Sequence, residues 1–129
     1  MIYLDTSVAL AQLLAEDRVP PAALWRQPLI ASRLLEHEIW TRLHARKLGR
    51  SHAEEARLLV GRVALVELAP PVLERALAPF PVVVRTLDAM HLATIDFLRM
   101  RGHAVELATY DDRLATGARA IGIDLMALG

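Results

Sequence analysis

Cysteine is absent from the 129 residues. That absence excludes disulfides, thiol nucleophiles and zinc–thiolate centres. Lysine is almost absent: of the 15 basic residues only Lys47 is lysine. The rest are arginines, which suit bidentate phosphate contacts, although a biased genomic composition gives the same pattern. Neither charge dominates, since 15 acids balance 15 bases, so global charge does not announce a nucleic-acid binder. No apolar run of about 18 residues occurs, so no transmembrane helix and no membrane partner are expected. The start lacks a basic n-region and a cleavage site, so no secretory signal is expected and the cytoplasm is the default location. Repeats, low-complexity segments and long linkers are also missing, which leaves one domain over residues 1–129. The surplus is apolar, 54% of residues against about 45–50% in soluble proteins. A dense core or an apolar surface kept for a partner would each account for it.

Proline and glycine punctuate a chain in which short β-like runs alternate with helical patterns. Residues 2–5 read as a strand. Thr6 or Ser7 is placed to cap a helix over roughly 8–16. A helical piece holding Trp25 follows Pro20-Pro21. Residues 29–31 read as a buried strand, and Ser32 as the cap of a helix to about Lys47. Ser51 and Glu54 fit a capping box that opens a helix to about Gly61. Residues 63–68 alternate as a strand and 72–78 are helical. Thr86 is placed to cap a helix ending near Arg101. Residues 105–109 and 123–126 read as strands, with a helix over 112–121 between them. Such alternation implies right-handed crossovers and a mainly parallel sheet of 4–5 strands with helices on both faces. Ligands of these sheets bind beyond the carboxyl ends of the strands.

Four acids stand out by position. Asp5 ends the first strand, Asp88 opens a late helix, and Asp111 follows a late strand. Glu38 lies about two turns into a helix. In a parallel sheet all four can meet at one cleft. Carboxylates held that close repel, so either a cation neutralises them or one takes up a proton. Mg²⁺ and Mn²⁺ want oxygen ligands, and a carboxylate-held cation assists phosphodiester hydrolysis. Each acid also has a plainer explanation. An acid after a strand is commonly a helix cap. That explanation is weaker for Asp5, whose neighbours Thr6 and Ser7 can cap instead. Glu38 can instead pair with Arg42 at i, i+4.

With these motifs in order, the chain resembles the PIN-domain ribonucleases, and within them the VapC-type toxins of type II toxin–antitoxin pairs. YLDTSV resembles the family's first metal-binding aspartate with its Thr-Ser. Ser32 followed six residues later by Glu38 resembles the serine-then-glutamate helix. LDAMHLA, placing Asp88, and TYDDRL, placing Asp111, resemble the last two motifs. The resemblance implies a PIN-like three-layer α/β/α fold and a Mg²⁺- or Mn²⁺-dependent endoribonuclease. It implies Asp5, Glu38, Asp88 and Asp111 as catalytic metal ligands. It also implies an RNA substrate, a cognate VapB-like antitoxin and a homodimer. Glu36, Asp96 and Asp112 are acids outside these motifs. His91, inside the third, reads as a packed histidine more readily than as a ligand.

Thr6, Ser7 and Thr109 carry hydroxyls that could orient the site, or act in caps and turns. Arg42, Arg46 and Lys47, with Arg85, are candidates for RNA phosphates; a solvated helix face is the plainer reading of the first three. Leu14, Trp25 and Trp40 would line an antitoxin groove or a dimer seam, or ordinary core. Rival classes fit less well. A phosphate-signalling receiver domain, also Mg²⁺-binding, wants paired early acids and a late lysine. A haloacid-dehalogenase-type phosphatase wants an aspartate where Ser7 stands. A housekeeping PIN nuclease without an antitoxin shares the same site.

Overall fold

The computed structural model of the chain describes residues 1–129. Five strands form one sheet: β1 (Ile2–Leu4), β2 (Leu29–Ser32), β3 (Val63–Val66), β4 (Glu106–Ala108) and β5 (Asp124–Leu125). Their order is β3-β2-β1-β4-β5 and every pairing is parallel. Six helices connect them: α1 (Thr6–Leu13), α2 (Leu34–Ala45), α3 (Ala53–Gly61), α4 (Pro70–Leu77), α5 (Thr86–Met100) and α6 (Asp112–Ala120). A 3₁₀ turn, Ala22–Arg26, carries Trp25.

The alternation of strand side chains builds two cores. Ile2, Leu4, Leu29, Ala31 and Val63 point to one face, where Val8, Leu35, Ile39, Leu43 and Leu59 of α1, α2 and α3 cover them. Tyr3, Ile30 and Leu107 point to the other, under Leu92, Ile95 and Leu98 of α5 and Leu114 and Ala118 of α6. Each such aliphatic side chain contributes roughly 1.5–3 kcal/mol by leaving water. The result is the three-layer α/β/α arrangement expected. The apolar surplus is divided: much of it fills the two cores, while Leu77 and Val83 lie almost bare at the surface. With Leu73, Phe80 and Met90 they line an open apolar cavity of about 710 Å³ beside α4 and α5.

The chain winds outward from β1 in both directions, through β2 to β3 and later through β4 to β5. The switch point therefore lies between β1 and β4, and their carboxyl ends open on a common crevice. Ile2 pairs with Glu106 and Leu4 with Ala108. Residues 5 and 109–111 thus leave the sheet side by side.

Local chemistry differs from expectation at several helix starts. Asp5 caps α1 through its own carboxylate, so the helix begins at Thr6. The capping box at Ser51 does not form. Ser51 Oγ turns back to the carbonyl of Leu48 at 3.3 Å and to His52 Nδ1 at 2.9 Å, and α3 starts without a side-chain cap. Thr86 lies inside α5 rather than before it, and that helix also lacks a side-chain cap. Ser32 falls one residue short of the expected cap: its hydroxyl accepts from Leu34 N at 3.1 Å, but the cap position is Arg33 and α2 has no side-chain cap. The Glu38–Arg42 pair is absent, because Glu38 turns inward to other partners. Asp96 lies away from the crevice and pairs with Arg75 at 2.8 Å.

Candidate acidic site at the carboxyl ends of β1 and β4

Asp5 is 5% exposed. A buried carboxylate needs compensation, yet no basic side chain pairs with it. Neutral donors converge on one of its oxygens instead. Oδ2 accepts from Ser7 Oγ at 2.5 Å, Thr109 Oγ1 at 2.8 Å and Ser7 N at 3.4 Å. Both hydroxyls are themselves fixed. Ser7 Oγ accepts from Tyr110 N at 3.0 Å, and Thr109 Oγ1 from Asp111 N at 2.9 Å. The first and last motifs, at the ends of β1 and β4, are thereby tied into one network.

Glu38 follows the same pattern. Its Oε1 accepts from Thr6 Oγ1 at 3.0 Å and from His91 Nε2 at 2.7 Å. Behind His91, Nδ1 lies 2.7 Å from the Tyr3 hydroxyl, which accepts from Ser32 N at 3.1 Å. The Glu38 carboxylate only accepts, so Nε2 carries a hydrogen, and in the neutral ring Nδ1 accepts from the Tyr3 hydroxyl. Burial pushes the His91 pKa down. The hydrogen bond to Glu38 and the charges of Glu38, Asp5 and Asp88 push it up further, so it stands above the ordinary value. Burial likewise pushes the Tyr3 hydroxyl far up, so it stays protonated.

Asp111 caps α6. Its Oδ1 accepts from Arg113 N at 2.9 Å and Leu114 N at 3.4 Å. The capping explanation is therefore correct for this oxygen. Asp112 is a first-turn acid of the same helix. Asp88, in the first turn of α5, has no hydrogen-bonded partner of this kind. Burial first, then the charges of Asp111 and Asp5, hold its carboxyl above the ordinary range, against the pull of His91 and Arg85. The expected raised acid is thus Asp88, which feels the charges of Asp111 and Asp5.

Three carboxylates therefore have one oxygen tied down by protein donors. Oδ1 of Asp5, Oε2 of Glu38 and Oδ2 of Asp111 remain without a protein hydrogen bond. This donor set suits a hard cation that takes oxygen ligands. No three acids or histidines are close enough to form a cage of their own. Mg²⁺ does not require one, since it keeps several waters and is commonly held by one or two carboxylates plus phosphate oxygens.

The basic candidates surround this crevice unequally. Arg42 shares a cleft with Ser7, Tyr110 and Arg18. Arg85 shares another with Asp88, Arg113 and Thr116, of about 440 Å³. Arg46 and Lys47 are exposed beyond the end of α2, about 12 Å along from Glu38 at 1.5 Å per residue. Leu14, Trp25 and Trp40 are half-buried against the α1–α3 core. The Trp25 indole N–H is buried without a partner. Sequence reasoning missed Tyr3, Arg18 and Arg113. Only the tyrosine left a signal, because a phenol in a buried strand needs a polar partner.

The geometry has counterparts. The PIN domain family model matches residues 2–120, and the chain belongs to the PIN domain family. Two relatives from Mycobacterium tuberculosis match over nearly their whole length. Ribonuclease VapC46 is 31% identical, covering 98% of this chain and 96% of the relative. Ribonuclease VapC47 is 30% identical, covering 95% and 93%. Among solved structures, a toxin–antitoxin complex from Klebsiella pneumoniae superposes with a TM-score of 0.72 at 16% identity, covering 100% of this chain and 98% of that one. VapC20 of Mycobacterium tuberculosis, a sarcin–ricin-loop-cleaving toxin, superposes at 0.69 with 21% identity, covering 98% of each chain. These two likenesses show the fold.

Proposed function

We propose that the chain is a divalent-cation-dependent endoribonuclease and the toxin of a toxin–antitoxin pair. The ribonuclease relatives support the activity. The observation that carries the cation is Asp5, a buried carboxylate with no cationic side-chain partner and one free oxygen.

Asp5, Glu38, Asp88 and Asp111 hold Mg²⁺ or Mn²⁺ in this reading. Bound there, the cation supplies charge stabilisation at a phosphoryl oxygen and lowers the pKa of water. The chain's own residues prepare the site. Ser7 and Thr109 fix Asp5, and Thr6 fixes Glu38. Backbone N–H groups of α6 fix Asp111. Asp88, unpinned and reluctant to ionise, gains most from a neighbouring positive charge. Arg42 and Arg85, in clefts on either side, are placed to receive phosphates flanking the bond to be cut; Arg46 and Lys47 extend the first contact. A VapB-like antitoxin is the proposed protein partner, docked near Leu14, Trp25 and Trp40, and a homodimer is the proposed assembly.

The test is cleavage of a structured RNA by EDTA-treated protein, with and without added Mg²⁺ or Mn²⁺. Asp5→Asn and Asp88→Asn serve as identically purified comparisons. Cleavage that needs the added cation and is lost in both variants is expected. Cleavage in EDTA, or undiminished in Asp5→Asn, would overturn the reading.

A further inference from the structure

The pair Tyr3–His91 lies behind the acidic crevice and has no access to it. Both side chains are buried, Tyr3 at 0% and His91 at 2% exposure. Their rings meet edge to face, with centroids 5.9 Å apart. Tyr3 comes from the centre of the sheet and His91 from the middle of α5, yet their polar atoms form a single line. It runs from Ser32 N to the Tyr3 hydroxyl (3.1 Å), from there to His91 Nδ1 (2.7 Å), and from Nε2 to Glu38 Oε1 (2.7 Å). A packed histidine needs no such alignment at both nitrogens. Thr6 Oγ1 completes the hold on the same oxygen at 3.0 Å.

We propose that Tyr3 and His91 are positioning residues: they lock Glu38 through Oε1, which leaves Oε2, the oxygen without a protein partner, for the cation. The proposal rests on the reading of Glu38 as a cation ligand. A glutamate on a helix is otherwise poorly defined, having three side-chain torsions to fix. The line fixes it from behind with groups that never touch the ion, as outer partners of metal ligands commonly do. It also fixes the sense of the hydrogen bond. The Glu38 carboxylate only accepts, so Nε2 donates, and in the neutral ring Nδ1 accepts from the Tyr3 hydroxyl. The same chain gives Ser32, at the end of β2, a part in aligning the site without approaching it. Asp5 needs no equivalent, because its short side chain is held by its own neighbours, Ser7 and Thr109.

The test is Mn²⁺ affinity, measured by electron paramagnetic resonance on the full chain without RNA. Variants are His91→Leu, His91→Gln, Tyr3→Phe, Glu38→Gln and the double variant His91→Leu with Glu38→Gln. His91→Leu is expected to weaken Mn²⁺ binding about 10–100-fold, the usual cost of losing an outer partner. Tyr3→Phe should weaken it at the low end of that range. His91→Gln, whose amide can still donate to Oε1, should recover most of the loss. In the Glu38→Gln background, His91→Leu should add almost nothing, because the route through Glu38 is already gone. Wild-type affinity in His91→Leu, or an undiminished loss in the Glu38→Gln background, overturns the positioning role. If Glu38→Gln itself binds Mn²⁺ as the wild type does, the ligand reading of Glu38 fails instead. Should His91→Leu not fold, the contrast of Tyr3→Phe with His91→Gln decides: equal, unweakened binding in both removes the proposal.

Discussion

Thr109 donates to Asp5 at 2.8 Å across 104 residues of chain, and the same hydroxyl accepts from the backbone of Asp111. One small side chain thus joins two acids of the crevice. Thr109→Val keeps the shape and removes both bonds. It should cost about 1–3 kcal/mol, because a buried carboxylate loses a donor and an N–H loses its acceptor. RNA cleavage should fall about 10–100-fold. Urea unfolding and a fluorogenic RNA substrate measure the two effects. Thr109→Ser should retain most of both.

Asp88 makes metal-free stability depend on pH with a definite sign. Its folded pKa is raised above the ordinary 3.8, so the fold favours the protonated form. The metal-free protein therefore loses stability as pH rises through that raised value and regains it as pH falls. Asp88→Asn removes the repelled charge. In EDTA its melting temperature should exceed that of the wild type at pH 7, with the difference shrinking toward pH 4. Saturating Mg²⁺ should reverse the order, because only the wild type gains fully from binding linkage. Thermal melts at several pH values, with and without the ion, check both signs.

Arg75 latches α4 to α5. It pairs with Asp96 at 2.8 Å and lies 4.2 Å over the Phe80 ring. Both members of the ion pair are less than a quarter exposed. Arg75→Ala should destabilise by roughly 2–4 kcal/mol, since it strands a half-buried carboxylate and loses the cation–π contact. Lysine should rescue little, lacking the planar group that serves both partners. Denaturant unfolding of the two variants is the measurement.

Arg42 and Arg85 give a graded prediction for RNA. Binding of an uncleaved RNA to Asp5→Asn should weaken as salt rises. Replacing either arginine by alanine should reduce the log–log slope by about 0.7–0.9, the share of one phosphate contact. Arg101, which lies over Phe97 at the far end of α5, should leave the slope unchanged. Fluorescence anisotropy at several salt concentrations separates these cases.

The sheet and its helices were legible because strand and helix periods differ and the punctuation is dense. Asp5 and Asp111 stood out because acids at strand ends need a compensating partner; Glu38 and Asp88 stood out by their places in their helices. Helix caps were less legible. Asp5, Thr6 and Ser7 are all capping residue types, and sequence alone does not rank them. The Ser51–Glu54 box failed for a similar reason: a hydroxyl has several backbone partners within reach, and the turn after Lys47, with its positive φ of 58°, offers it the Leu48 carbonyl. The partner of Glu38 was hidden altogether. Arg42 is four residues away along the helix, whereas His91 is 53 residues on and becomes adjacent only after α5 packs on the sheet.

The strand order carries a consequence for how the protein is made. Asp5 is synthesised 104 residues ahead of Thr109, and Thr109 and Asp111 complete its setting only when β4 docks beside β1. A chain interrupted anywhere earlier has no crevice to work with. Synthesis of Asp5 is thus separated in time from assembly of the crevice around it.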